Sequence, residues 1–216
     1  MTNKKQENDY ALTKLENFNN YEELKRWANF AINSGLLPES IETPEAAMTI
    51  VQHGKELGLS PFVSLQNIHV INGRPTLGSS MVGALLKRRG IIFLWEEDFV
   101  SIKDDAGKPE VLANGSVNKR TTVRFIWKEK ELDGRELETK FSVTWAQMSL
   151  AGYTEKQNWL KYPKEMMRAR CLAYGARALF PEVFSGIYTD LEMNDVEGNS
   201  DVELDDLGEV IITTDN

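Results

Sequence analysis

Residues 159–188, WLKYPKEMMRARCLAYGARALFPEVFSGIY, constrain this chain more than any other stretch. Pro163 suits the first position of a helix, where its missing N–H costs nothing. After it only Gly175 interrupts the helix formers until Pro181, which cannot continue a helix. The pattern predicts a helix over 163–180. At about 100° per residue, Ala169, Leu172, Ala173, Ala176, Leu179 and Phe180 share one broad face, and Met167, Cys171, Tyr174 and Ala178 form a second apolar stripe. A helix apolar on two sides is buried, by its own domain or by a neighbouring subunit.

The same helix is charged. Lys161, Lys164 and Arg168 fall on one seam, and Arg170 and Arg177 on another. Between residues 156 and 180 stand six Lys/Arg and one acid, Glu165. Cations on a largely buried helix are costly unless something anionic meets them. Two readings follow. The stems snorkel to solvent and pair with nearby carboxylates, or the helix is a positive floor for phosphates.

The run W-x-x-x-P-K-x-M-x-R-x-R from Trp159 to Arg170, followed by Ala176-Arg177 and Gly186-Ile187-Tyr188, resembles the signature of the RecT/Red beta family of phage single-strand annealing proteins. Upstream, Gly58-Leu59-Ser60-Pro61-Phe62 and the apolar hairpin after it are similar to that family's G-L-x-P-[WF] segment. The likeness spans about residues 41–191. It implies a protein that binds single-stranded DNA and anneals complementary strands in phage recombination. It implies an oligomer, ring or filament, that needs no ATP and works in the cytoplasm of a bacterial host. The implied partners are the single strand, the annealed duplex intermediate, a 5′→3′ exonuclease and host single-strand binding protein. Mg²⁺ as an aid to annealing is compatible with this.

The family's basic helix positions fall on Lys164, Arg168, Arg170 and Arg177, while Glu165 stands where Red beta has a basic residue. Red beta also has a lysine soon after the G-L-x-P-[WF] aromatic; here Val63-Ser64-Leu65 supplies none, and Arg74 is the substitute. The family's larger members continue into a further helical domain, for which this sequence leaves no room.

The net charge of −8 argues against a nucleic-acid binder until its distribution is read. Residues 190–216 hold ten acids and no Lys or Arg, so the remainder is mildly basic. Cys171 is the single cysteine, which excludes an intramolecular disulfide and fits a reducing compartment. The first twenty residues are polar and mixed in charge, unlike a signal peptide. No uncharged apolar run reaches the ~18 residues of a membrane span.

Residues 1–20 and 190–216 read as disordered tails around one annealing domain over 21–189. Asn20 caps a first helix that Gly35 ends, and Thr43-Pro44-Glu45 starts a second that Gly58 stops. Ser60-Pro61 breaks the chain. Residues 68–71 and 74–77 form a hairpin on Asn72-Gly73, with Pro75 marking an edge. Ser79 or Ser80 caps a short helix over 81–89, and 91–95 is an apolar strand. Residues 119–130 alternate: Val123, Phe125 and Trp127 point one way, Arg120, Thr122, Arg124, Ile126, Lys128 and Lys130 the other. Asp133-Gly134 turns the chain into a second alternating strand with Leu137, Thr139, Phe141 and Val143 inward. This pair is expected to present a cationic face outward. A short helix over 145–150 precedes the main one. The fold class is therefore α+β, a small antiparallel sheet covered by a long helix, with additional N-terminal helices.

Catalytic patterns are scarce. Gly54-Lys55 and Gly107-Lys108 are not Walker A motifs, so ATP hydrolysis is not expected. His53 and His69 stand alone, without a zinc pattern, and no G-x-S-x-G occurs. Asp133, Glu138 and Lys140 loosely resemble the Mg²⁺-holding acids and lysine of metal-dependent nucleases, a pattern that cross-strand ion pairing also explains. The expectation is a non-enzyme. The alternatives are that nuclease, or an interaction module acting through the acidic tail.

Binding chemistry is better represented. Single strands lie in cationic grooves with aromatics for stacking. The candidate DNA-binding residues are Lys161, Lys164, Arg168, Arg170 and Arg177 on the main helix, Arg120, Arg124 and Lys128 on the strand, and Arg74. Trp159 and Tyr162 are candidates for base stacking, with core packing the competing reading for Trp159. Five helix cations each meeting a phosphate imply a log K against log[salt] slope of about −3.5 per subunit. The acidic tail should compete with DNA for these cations. Removing residues 190–216 is expected to tighten single-strand binding at low salt in a fluorescence-anisotropy titration, and unchanged affinity rejects the competition.

Overall fold

The computed structural model describes residues 18, 20–71, 73–129, 134–190 and 192–193. Lys130, Asp133, Asn72 and nearly all of both expected tails lie outside the described residues. The chain divides into two compact units, one running to Gly78 and resuming at Glu192, the other Ser79–Leu191. The stretch 21–189, read from sequence as one domain, thus contains a unit boundary at Gly78.

In the first unit α1 (Tyr21–Asn33) starts where the Asn20 carboxamide accepts the Glu23 N–H at 2.9 Å. α2 (Pro44–Glu56) starts where the Thr43 hydroxyl accepts the Ala46 N–H at 3.2 Å. These caps satisfy amides that have no partner within the helix. Pro61 does more than break the chain: it opens a short helix, α3 (Pro61–Asn67), from its first position. α2 and α3 cross at Gly54, where a Cβ would lie 1.8 Å from the Ser64 Oγ, so only glycine fits. The hairpin follows as β1 (Ile68–Ile71) and β2 (Arg74–Leu77), with Ile68 opposite Leu77.

The second unit opens with a 3₁₀ turn, Ser79–Met81, and α4 (Val82–Arg88). No serine hydroxyl caps α4; the Ser79 N–H instead donates to the Asp190 carboxylate at 2.9 Å. Three strands then form an antiparallel sheet in the order β3 (Ile92–Ser101), β4 (Lys119–Glu129), β5 (Arg135–Thr144). β4 and β5 pair without irregularity from Arg120–Thr144 to Glu129–Arg135. β3 runs beyond its expected end at Trp95 and is interrupted twice, between Trp95 and Glu97 and between Glu97 and Val100. Such bulges change which face a side chain takes. α5 (Trp145–Leu150) begins on a reciprocal cap between Thr144 and Gln147, and α6 (Gln157–Lys161) precedes α7 (Pro163–Leu179).

This unit is α+β, an antiparallel sheet covered by one long helix. Val123 and Phe125 of β4 and Val143 of β5 are buried beneath α7, whose Met167, Cys171, Ala173, Gly175 and Ala176 are buried in turn. Small residues let the layers approach. The Cys171 Sγ–H reaches the Thr121 carbonyl at 3.3 Å, and burial pushes the thiol pKa up to about 12, so it stays protonated. Phe180, directly after α7, sets its ring edge-on to Phe125 at 5.6 Å and Trp127 at 5.1 Å. Among the described residues no helix is long and apolar enough to cross a membrane.

A Cβ on Gly175 would fall 2.8 Å from Phe125 Cε2 and 3.0 Å from Phe141 Cβ. Phe125 is enclosed and cannot retreat. Gly175→Ala is therefore expected to cost about 1–3 kcal/mol through overpacking, against a smaller gain in helix propensity. Denaturant unfolding of the variant checks this; equal or greater stability would contradict the close approach.

Candidate nucleic-acid interface

α7 carries its cations to three different surroundings. Lys164 and Arg168, one turn apart, converge on Asp98 of β3, with the Lys164 ammonium at 2.7 Å and the Arg168 Nε at 2.8 Å. Arg168 also lies over the Trp95 ring, 5.4 Å from its centroid. Both side chains remain partly exposed. One carboxylate between two cations leaves this cluster with a positive surplus. Asp98 points toward α7 because the β3 irregularity between Trp95 and Glu97 shifts the strand's alternation.

Arg170 is enclosed, 2 % exposed, with its guanidinium 4.1 Å from the Tyr153 ring centroid and 2.6 Å from the Tyr174 hydroxyl. Arg177 donates to the Ile187 carbonyl at 2.7 Å and stacks 4.3 Å from the Phe184 ring centroid. Both arginines organise the interior of the unit. The sequence places them on a phosphate-binding seam; in the structure the enclosed Arg170 guanidinium is committed to the interior and Arg177 holds the turn after α7.

Lys161 is exposed at the end of α6 and has no carboxylate in ion-pair range among the described residues. Tyr162 beside it is 60 % exposed. Trp159 is 2 % exposed, stacked on Tyr153 at 5.8 Å and tilted against Trp145 at 5.9 Å. It offers no open face on which a base could lie, which corrects its place among the stacking candidates. Core packing is what uses it.

The outer sheet face differs from the expected cationic surface. Arg120 is held by Glu97 through two hydrogen bonds, one of 2.6 Å, and the Thr122 hydroxyl donates to the same carboxylate. Arg124 lies 3.2 Å from Glu96 and 3.1 Å from Glu138, and Lys140 lies 2.7 Å from Glu96. Lys128 is exposed, in register with Glu136. β3 and β5 set acids beside Arg120, Arg124 and Lys128, so the face is a mixed-charge lattice. Of the residues in the nuclease alternative, Glu138 and Lys140 sit in this lattice and Asp133 lies outside the described residues. No group of three His, Cys, Asp or Glu that could hold a metal ion occurs among the described residues. Arg74 is exposed on β2, in the first unit.

Sequence reasoning missed Asp98, Glu97 and Glu96, the acids that decide where the cations go. A signal existed: three consecutive acids, Glu96-Glu97-Asp98, follow the apolar run Ile91–Trp95 and break its pattern. Comparison of the chain with protein-family models, curated proteins and solved structures gives no match.

Hydrogen bonds from Arg120 and Thr122 hold the Glu97 carboxyl below the usual carboxylate range. Burial alone would raise the Asp98 carboxyl, but Arg168 and Lys164 outweigh it and hold it low as well. A carboxyl depressed in the folded state stabilises above its ordinary pKa of about 4 and loses that contribution as pH falls through the folded value. The pairs are partly exposed, so together they contribute about 1 kcal/mol. Below about pH 4 the native chain is expected to lose stability more steeply than an Asp98→Asn, Glu97→Gln double variant. Identical acid profiles in denaturant melts would contradict these assignments.

Proposed function

We propose that this protein binds single-stranded DNA and anneals complementary strands without ATP, acting as an oligomer in phage recombination. The observation that carries the reading is the α6–α7 seam. After internal pairing, Lys164 and Arg168 share a single carboxylate, and Lys161 and Tyr162 stand exposed just before them. The signature in residues 159–188, which resembles that of the RecT/Red beta family, supports it, as does the α+β layout in which a long helix covers a small sheet.

On this reading Lys161, Lys164 and Arg168 meet phosphates, and Asp98 sets the spacing of Lys164 and Arg168 before DNA arrives. A phosphate displaces the Asp98 carboxylate from one cation while the other keeps it neutralised. Phosphate contacts carry no sequence information, so binding is sequence-tolerant. Subunits line one strand, keep it from folding on itself and leave base edges open to a complementary strand. A 5′→3′ exonuclease would supply the single strand, and host single-strand binding protein is a further partner.

Three seam cations imply a log K against log[salt] slope of about −2 per subunit, shallower than five would give. Lys161→Ala and Lys164→Ala should each flatten it by about 0.7 and weaken binding alike on all sequences. The native chain should speed pairing of complementary labelled oligonucleotides without ATP. Strands shortened in Mg²⁺, or no acceleration, would sink the annealing reading.

A further inference from the structure

Phe99 has a left-handed backbone, φ 63°. Bulky side chains rarely adopt it, and residues held so are concentrated at ligand clamps and other functional sites. Here the conformation is held in place by its surroundings. The Phe99 N–H donates to the Thr121 hydroxyl at 3.3 Å, the Trp145 ring meets Phe99 edge-on at 5.6 Å, and the Lys119 ammonium lies 4.1 Å from the Phe99 centroid. Phe99 lies in the second β3 irregularity, between Glu97 and Val100, and lines a pocket.

That pocket has a volume of about 330 Å³ and is lined by Phe99, Lys119, Trp145, Trp159, Leu160 and Pro163 among others. No carboxylate lines it among the described residues. Its size is at the low end for small-molecule sites, room for a ring system rather than a run of chain. Leu160 and Pro163 flank Lys161 and Tyr162, so the pocket adjoins the cationic seam. Leu160 is 69 % exposed at this border. Lys119 has no acid in ion-pair range among the described residues. Aromatic walls, an ammonium with no acid in ion-pair range among the described residues and a neighbouring row of cations together fit a planar heterocycle carried on an anionic backbone.

We propose that this pocket takes one unstacked base of the bound single strand, with Phe99 and Trp145 as its contact surfaces and Lys119 meeting the flanking phosphate. The inference rests on the single-strand reading and adds a base anchor to it. A base held here is withdrawn from pairing while its neighbours stay open, so the strand is anchored at intervals. Since every base has an aromatic face, the anchor tolerates any sequence.

The test compares the full chain's affinity for oligothymidylate with that for an abasic oligonucleotide of equal length, read by anisotropy. The native chain should favour the intact strand by about 5- to 150-fold, the range for one stacked base. Phe99→Ala and Trp145→Leu should each shrink that preference. Equal affinity of the native chain for both strands would overturn the anchor and leave the phosphate reading standing. Binding to neither would overturn both. If Phe99→Ala kept the preference but changed the oligomer's mass in sedimentation, the pocket would belong to a second copy of the chain, and the anchor would be wrong. A second measurement needs no variant: ultraviolet cross-linking of the native chain to a 5-iodouracil oligonucleotide should mark the peptide holding Phe99 or Trp145. Adducts confined to other peptides would reject the proposal.

Discussion

The second unit depends on how closely α7 lies on its sheet. Gly175 sits against Phe125 and Phe141, and the Cys171 thiol reaches the carbonyls of Thr121 and Phe141. Dispersion and apolar burial both reward such an approach, and both fall away over a fraction of an ångström. Small residues at 171, 173, 175 and 176 make it possible. Once the helix is seated, its charged positions have little freedom. Arg170 must enter the interior, Arg177 must hold the turn that follows, and Lys164 and Arg168 must emerge beside β3.

That placement gives the acids of β3 their role. A strand that alternated regularly through Glu96, Glu97 and Asp98 would leave successive acids on opposite faces. The irregularities place Glu96 and Glu97 among Arg120, Arg124 and Lys140, and Asp98 beneath Lys164 and Arg168. Paired cations are oriented cations: a long side chain held by a carboxylate has already lost much of its rotamer freedom. The seam is thus neutralised in part and preorganised in part, a state suited to exchanging one anion for another. Phe99, strained at the second irregularity, joins the same strand to the aromatic pocket next to the seam.

Much of the architecture was legible. Alternation marked β4 and β5 because side chains on a strand change faces at every residue, and the caps at Asn20 and Thr43 follow from amides that need acceptors. Pro163 and Pro181 bounded α7 to within a residue, since proline suits a helix start and ends a helix it would otherwise continue. The alternative reading of the helix cations was legible as well: pairing with carboxylates accounts for Lys164 and Arg168. Misread were the partners. Trp159 looked available because a tryptophan near lysines has the same local sequence whether or not Tyr153 and Trp145 enclose it. The outer sheet face looked cationic because β4 was read without the acids that β3 and β5 set beside it.

Sequence by itself determined most of the elements and their order, α3, α6 and the second half of β3 excepted, because propensity, capping and periodicity act over a few residues along the chain. It also determined that positive charge gathers on residues 156–177 and negative charge beyond residue 190. Only the tertiary structure decided which cations are committed inside and which are offered outside. It likewise brought Phe99 and Trp145 to one pocket. Those outcomes depend on residues far apart in the chain, such as Asp98 with Arg168, meeting across a strand irregularity that no local pattern encodes.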